Sequence, residues 1–181
     1  RAIPDRDIVM FAEAADKDMF SAGFDLIFGW YFYSRLEEVF AHNSSAANLI
    51  TANNVDYTSV PEGSHVLRWI TNHDDNAWED TPQGVFGGQN GALAAFVVTA
   101  YMGGVPLIYS GQEVGFSTQL SFFAGDVTKI DWSVNPDILA EYQQLMSFYN
   151  SSEAVKGGSI ETFPAQDVVA FKRISGSEEV L

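Results

Sequence analysis

The decapeptide Trp-Ile-Thr-Asn-His-Asp-Asp-Asn-Ala-Trp, residues 69–78, runs from apolar residues directly into a cluster of polar side chains. Its first part completes an apolar run that predicts a buried strand over residues 66–71. Such a strand delivers Asn72, His73 and Asp74 to its carboxyl end, where barrel enzymes carry their catalytic residues. A plainer interpretation is a structural histidine beside an aspartate that starts the next helix. This stretch alone leaves both interpretations open.

Three other apolar runs of strand length, residues 7–12, 24–28 and 105–109, predict further strands. Continuous apolar runs are typical of parallel strands that are buried on both faces. Segments with apolar residues at helical spacing lie between and after the runs, and the last of them begins at Asn135-Pro136. This alternation predicts an α/β fold with a parallel sheet and about four βα units. Four units fit either a flavodoxin-like open sheet or half of a TIM (β/α)8 barrel.

The sequence pattern changes after Ser152, where turns separate two short runs of β-forming residues, 159–163 and 168–174. Short strands joined by turns predict an antiparallel arrangement. We therefore predict a domain boundary near residue 152, which divides an α/β part, residues 1–152, from an all-β part, residues 153–181.

The composition excludes some classes of partner. The chain has 24 acidic and 9 basic side chains and a net charge of −15, which argues against binding to nucleic acid and favours a neutral ligand. The content of apolar residues, 46%, is sufficient for a sizeable core, yet no apolar run is long enough to predict a membrane span. Acidity and the absence of cysteine fit a secreted or periplasmic protein.

Several side chains near the predicted strand ends are candidates for a site. Glu13 follows the first predicted strand, although a glutamate there also fits a solvent-facing helix start. Trp30 opens an aromatic cluster that fits either a platform for sugar rings or, as we favour, simple packing. Trp78 either stacks on a bound sugar or covers the rim of the sheet. For Gln112 and Glu113 we predict a structural role, in which they organise their loop through hydrogen bonds.

Three motifs together resemble the α-amylase family of glycoside hydrolases. Phe-Ala-Glu at residues 11–13 resembles the family's third signature region, and Asn-His-Asp at residues 72–74 resembles its fourth. Gly-Val-Pro-Leu-Ile-Tyr-Ser-Gly-Gln-Glu at residues 104–113 resembles the segment around its eighth barrel strand. The resemblance implies the fifth to eighth βα units, which form the C-terminal half of a (β/α)8 barrel, followed by the start of an all-β C-terminal domain.

The resemblance also implies roles for individual residues. Glu13 would be the general acid/base, and Asp74 a second carboxylate that binds sugar hydroxyls more tightly in the transition state. His73 would hydrogen-bond the same sugar, and Asn72, Trp78 and Trp30 are further predicted substrate contacts. The implied substrate is a starch-like α-glucan or a maltooligosaccharide, which a retaining mechanism would cleave.

Two expected motifs do not occur in the sequence: the fourth-strand aspartate nucleophile with its nearby arginine, and an earlier motif that ends in Asn-His. Asp5 and Asp7 precede a strand and so lie at its wrong end. We therefore predict a fragment of a retaining α-glycosidase that is inactive alone and pairs with a missing N-terminal barrel half or with itself, because half a barrel exposes two sheet edges. A non-catalytic carbohydrate-binding or assembly fragment is the alternative.

We predict no cofactor and no metal site in this chain. His73 lies beside two aspartates, but His42 and His65 are not at metal-ligand spacing from it. Members of the resembled family often bind calcium, so calcium remains possible in a full-length parent protein, although no loop here has a dense pattern of oxygen ligands.

Overall fold

The computed structural model describes residues 8–123 and 128–181, and its larger sheet is parallel. The four strands of this sheet are adjacent in chain order: β1 (Phe11–Ala12), β2 (Leu26–Phe28), β3 (His65–Arg68) and β4 (Val105–Pro106). Because the strands are parallel, all four carboxyl ends meet at one edge of the sheet. The predicted α/β fold with a parallel sheet is therefore confirmed.

Helices follow and connect these strands. They are α1 (Asp18–Ser21), α2 (Trp30–Phe40), α3 (Ala47–Tyr57), α4 (His73–Trp78), α5 (Pro82–Val85), α6 (Gln89–Met102), α7 (Pro136–Ser151) and α8 (Glu153–Gly157), with a 3₁₀ turn at Gln112–Val114. The apolar faces of α2, α3 and α6 pack on the sheet and form one core around Phe32, Leu49, Trp69 and Phe96, each at most 1% exposed. Packing against this core holds the carboxyl ends of the parallel strands in place.

The first strand differs from the prediction. We expected a strand over residues 7–12 that is buried on both faces, but only Phe11–Ala12 pair with β2, and Val9 and Phe11 are 69% and 59% exposed. The physical reason is position, because β1 is the end strand of its sheet among the described residues, so one flank lacks a neighbouring strand. Asp5 and Asp7 lie outside the part of the chain that the structure describes.

The segment after β3 also differs from the prediction. We expected a long polar loop over residues 75–91, but it contains α4 and α5. Asn72 caps α4, since its Oδ1 accepts hydrogen bonds from the backbone N–H groups of Asp74 and Asp75, each at 2.9 Å. Thr81 caps α5 and Pro82 occupies its first turn. These two capping signals outweigh the polar composition on which the loop prediction rested.

The entry into β4 requires close backbone contact. Gly104 has a φ of +98°, and a Cβ at this position would lie 2.8 Å from the carbonyl oxygen of Val66 in β3. Glycine therefore allows β4 to approach β3 where the chain leaves α6.

A separate antiparallel sheet follows α8. Its strands are β5 (Ser159–Thr162), β6 (Phe171–Ser175) and β7 (Glu178–Val180), so the two predicted strands are confirmed and the third was missed. Arg173, 6% exposed, ties this sheet to the helices by donating hydrogen bonds to the carbonyl oxygens of Met102 and Ala154. The domain boundary near residue 152 stays a prediction. Within residues 8–123 and 128–181, no helix has the length and apolar character to cross a membrane.

Candidate active site

Three predicted site residues come together at the carboxyl edge of the parallel sheet. His73 Nε2 lies 3.1 Å from Glu13 Oε1 and 3.9 Å from Asp74 Oδ2. One side-chain ligand atom from each of the three residues lies within 4.8 Å of the others. Their side chains are 39–50% exposed, so a ligand can reach both carboxylates from solvent.

The strands and one helix cap explain this convergence. Glu13 directly follows β1, and His73 opens α4 shortly after β3, two strands away in the sheet. The cap from Asn72 fixes the first turn of α4, and the helix dipole favours Asp74 in that turn. The stretch starts a helix, as the plainer interpretation predicted, although its cap is Asn72 and not an aspartate. It also presents His73 beside Glu13, which follows another strand, and a catalytic role for these residues stays a prediction.

Asn72 has a structural task in this arrangement. It is 1% exposed, and its Oδ1 is engaged by the two backbone N–H groups at the start of α4. Its Nδ2 is buried and has no hydrogen-bond partner among the described residues. Contact between Asn72 and substrate stays a prediction.

Trp30 lies in an aromatic cluster with three residues of the core. Its ring centroid is 4.7 Å from that of Trp69, 6.0 Å from that of Phe28 and 6.5 Å from that of Tyr33. These contacts agree with the packing interpretation that we favoured. The role of Trp30 in sugar binding stays a prediction.

Trp78 belongs to an exposed aromatic surface beside His73. Trp78, Phe122 and Phe123, which we call the aromatic shelf, are 66%, 41% and 67% exposed. Their ring centroids are 4.9–6.3 Å apart, and the Phe122 ring stacks on the His73 ring at 5.5 Å. The shelf is therefore continuous with the Glu13–His73–Asp74 cluster.

Hydrogen bonds hold the two parts of the shelf together. Gln119 Nε2 donates to the carbonyl oxygens of Asn76 and Glu79, each at 3.1 Å, and the N–H of Leu120 donates to Asn76 Oδ1 at 2.7 Å. Asn76 is 5% exposed, whereas the side chain of Gln119 lies at the surface, so this clamp has one buried and one exposed member. Four residues of this surface were not predicted from the sequence: Phe122, Phe123, Asn76 and Gln119. The adjacent phenylalanines were the only signal in the sequence, because nothing in the polar segments around Asn76 and Gln119 indicates that the two contact each other.

A buried group of acids lies behind α4. Trp69 Nε1 donates a hydrogen bond of 2.6 Å to Asp75 Oδ2, and burial raises the pKa of Asp75 to about 6. Burial, followed by repulsion from Glu79, raises the pKa of Glu37 to about 7. Burial also raises the pKa of Tyr33, which the charge of Asp75 reinforces. The hydrogen bond from Trp69 to Asp75 joins α4 to the core.

The loop after β4 contains the hydrogen bonds that we predicted for Gln112 and Glu113. The N–H of Gly111 donates to Glu113 Oε2 at 2.9 Å, and Gln112 Nε2 donates to the hydroxyl of Tyr142 at 3.2 Å. Both side chains thus organise the loop.

The Glu13–His73–Asp74 cluster also has the donor types and spacing that a metal ion accepts. The prediction that this chain holds no metal stays a prediction. His65 lies at the start of β3, away from the strand ends that form the cluster.

Solved structures share this arrangement of strands and helices. A maltogenic α-amylase from Thermotoga neapolitana superposes with a TM-score of 0.80 at 19% identity, over 96% of this chain and 40% of that chain. A cyclic α-maltosyl-(1→6)-maltose hydrolase from Arthrobacter globiformis gives 0.77 at 19% identity, over 97% and 41%. The α-amylase from H. orenii gives 0.72 at 19% identity, over 96% and 42%. This chain has the fold of the C-terminal part of α-amylase-type enzymes.

The resemblance that the three sequence motifs indicated is therefore confirmed at the level of the fold. The chain spans about 40% of the length of the α-amylase-type structures that it matches. No protein-family profile matches the sequence, and no curated protein matches it either.

Proposed function

We propose that this chain carries the acid/base side of an α-glycosidase site that acts on starch-like α-glucans or maltooligosaccharides. The convergence of Glu13, His73 and Asp74 at the carboxyl ends of parallel strands carries the proposal. Barrel enzymes place their catalytic residues at this edge. A maltogenic α-amylase and a cyclic α-maltosyl-(1→6)-maltose hydrolase share the fold, which supports the substrate class.

In this proposal Glu13 acts first as an acid and then as a base. Its carboxyl group protonates the glycosidic oxygen as the bond breaks, and the resulting carboxylate later takes a proton from the attacking water. His73 Nε2, 3.1 Å from Glu13 Oε1, orients the carboxyl group. Asp74 accepts hydrogen bonds from sugar hydroxyls, and these bonds strengthen as positive charge develops on the ring.

Retaining hydrolysis also needs an ionised nucleophile about 5 Å from the acid. We infer that this aspartate and its arginine partner belong to the first four βα units of a parent barrel, in which this chain forms the fifth to eighth units. A complementary barrel half would then cover the exposed flank of β1. Calcium in the parent, and a secreted or periplasmic location, belong to the same proposal.

An alternative proposal makes Asp74 the nucleophile, and experiment can distinguish it from the proposal above. Oxygens of Glu13 and Asp74 lie within 4.8 Å of each other, so the two carboxyl groups are about as close as the roughly 5 Å of a retaining pair. If Asp74 is the nucleophile, both reacting carboxylates belong to this chain. If neither carboxylate reacts, the exposed Trp78 favours a non-catalytic carbohydrate-binding fragment.

The test compares two leaving groups in the chain combined with a polypeptide that supplies the first four βα units. Glu13→Gln should lower hydrolysis of an unsubstituted maltooligosaccharide by about 10²–10⁴-fold, because the departing alkoxide needs a proton. Release of the phenol from a maltoside of an acidic phenol should fall far less, because this leaving group departs without a proton. Glu113→Gln is the matched control, because it alters a carboxylate that accepts a backbone hydrogen bond from Gly111 in the loop after β4. Equal losses for both substrates would refute the acid role of Glu13.

A further inference from the structure

Three exposed aromatic rings beside an acidic cluster are unusual on a protein surface, because soluble proteins seldom leave contiguous apolar area open. The rings of the aromatic shelf, Trp78, Phe122 and Phe123, come from two segments that are more than 40 residues apart in sequence. Their contact therefore depends on the tertiary structure and does not follow from local chain geometry.

Hydrogen bonds from Gln119 and Leu120 to the end of α4, which we call the clamp, hold the shelf in a defined position. The buried Asn76 receives the backbone N–H of Leu120, and Gln119 spans two carbonyl oxygens at the end of α4. These three hydrogen bonds fix the segment that carries Phe122 and Phe123 against the helix that carries Trp78. The shelf is thus held in place without burying its own rings.

The chemistry of the shelf selects a class of ligand. Flat apolar rings bind the C–H face of a pyranose, while the neighbouring Glu13, His73 and Asp74 supply polar partners for hydroxyl groups. The net charge of −15 disfavours an anionic ligand. An uncharged sugar chain that spans both surfaces satisfies all of these conditions.

We propose that the aromatic shelf is a separate sugar-binding subsite, on which a glucose unit of an α-glucan stacks while a neighbouring part of the same chain lies at Glu13. This inference rests on the proposed function and adds to it a preference for oligosaccharides over single sugars or disaccharides. Phe122, whose ring stacks on His73, is the junction between the shelf and the polar cluster.

Binding of maltoheptaose to the full 181-residue chain, measured by calorimetry, tests the subsite. Trp78→Ala and Phe123→Ala should each weaken binding by about tenfold, as expected for the loss of one stacked ring. Maltose should bind more weakly than maltoheptaose and respond less to either substitution. Phe163→Ala, which removes another exposed phenylalanine from the end of β5, is the matched control and should leave binding unchanged.

Gln119→Ala removes two hydrogen bonds of the clamp and keeps every aromatic ring. It should weaken maltoheptaose binding by less than the loss of a ring does. Unchanged affinity in both ring variants, or the absence of any maltoheptaose binding by the parent chain, would overturn the subsite. Binding without hydrolysis in the combined protein would leave the subsite intact and refute the proposed function, whereas hydrolysis that is insensitive to the shelf would refute the subsite alone.

Discussion

At the scale of single residues, Asp75 links the core to the helix that carries His73 and Asp74. Its carboxylate accepts the indole N–H of Trp69, which is 1% exposed and therefore depends on this acceptor. Burial raises the pKa of Asp75 to about 6, so its charged form is costly near neutral pH. The hydrogen bond, and not the charge, should carry the stabilising effect.

Substitutions at Asp75 separate these two contributions. Asp75→Ala leaves the indole N–H of Trp69 unpaired, and we expect it to lower the free energy of unfolding by about 1–3 kcal/mol at pH 7.5. Asp75→Asn keeps an acceptor and removes the charge, so it should match or exceed the wild-type stability. Urea denaturation measures both values. An equal loss in the two variants would contradict this explanation.

Glu37 predicts a dependence of stability on pH. Its pKa is about 7 in the folded protein and 4.5 as the ordinary value, so the folded state holds the proton more tightly. Stability from this group is therefore present below about pH 4.5 and is lost as pH rises through 7. The melting temperature should fall between pH 5 and 8, and Glu37→Gln should make that fall smaller. Glu62→Gln, on an exposed turn, should leave the wild-type slope unchanged.

At the scale of elements, an ion pair behind the sheet joins α3 to β3. Arg68, 1% exposed, lies 3.0 Å from Asp56, donates to Asn53 and to the Gly103 carbonyl oxygen, and has its guanidinium 3.8 Å from the centroid of the Phe32 ring. Burial raises the pKa of Asp56, although the charge of Arg68 opposes the shift. Each charge is tolerated only because the other is present.

Removing one partner of this pair should be severely destabilising. Asp56→Ala strands the buried guanidinium of Arg68, and we expect a loss of about 3–5 kcal/mol in the free energy of unfolding. Glu38→Gln, which breaks the partly exposed pair with Arg35, should cost less than about 1 kcal/mol. Chemical denaturation compares the two. Similar small losses would show that Arg68 finds another partner.

The elements also show which features the sequence could reveal. The apolar runs before Glu13 and Asn72 correctly predicted two parallel strands, because continuous apolar runs are typical of such strands. The run before Glu13 did not reveal that β1 is an end strand with exposed Val9 and Phe11, because its neighbours in the sheet decide that. The polarity of residues 75–91 concealed two short helices, whose caps at Asn72 and Thr81 decide the local structure. The aromatic shelf was not predictable, because its contacts join residues that no periodic pattern connects.

At the scale of the whole molecule, the exposed flank of β1 lies next to Glu13, which belongs to the open Glu13–His73–Asp74 cluster. In similar α-amylase-type structures, the matched region is about 40% of the chain. A second barrel half would pair with the flank of β1 and place a nucleophile opposite Glu13 in one step. The net charge of −15 opposes pairing between two copies of this chain, so we favour a complementary half over self-association.

Hydrolysis of a chromogenic maltooligosaccharide by the purified 181-residue chain tests the division of the active site most directly. We predict no hydrolysis by the chain alone, and hydrolysis when a polypeptide with the first four βα units is added. Glu13→Gln should prevent this restoration. Hydrolysis by the chain alone that Glu13→Gln abolishes would contradict the proposal, because the nucleophile would then lie within this sequence, with Asp74 as the nearest carboxylate.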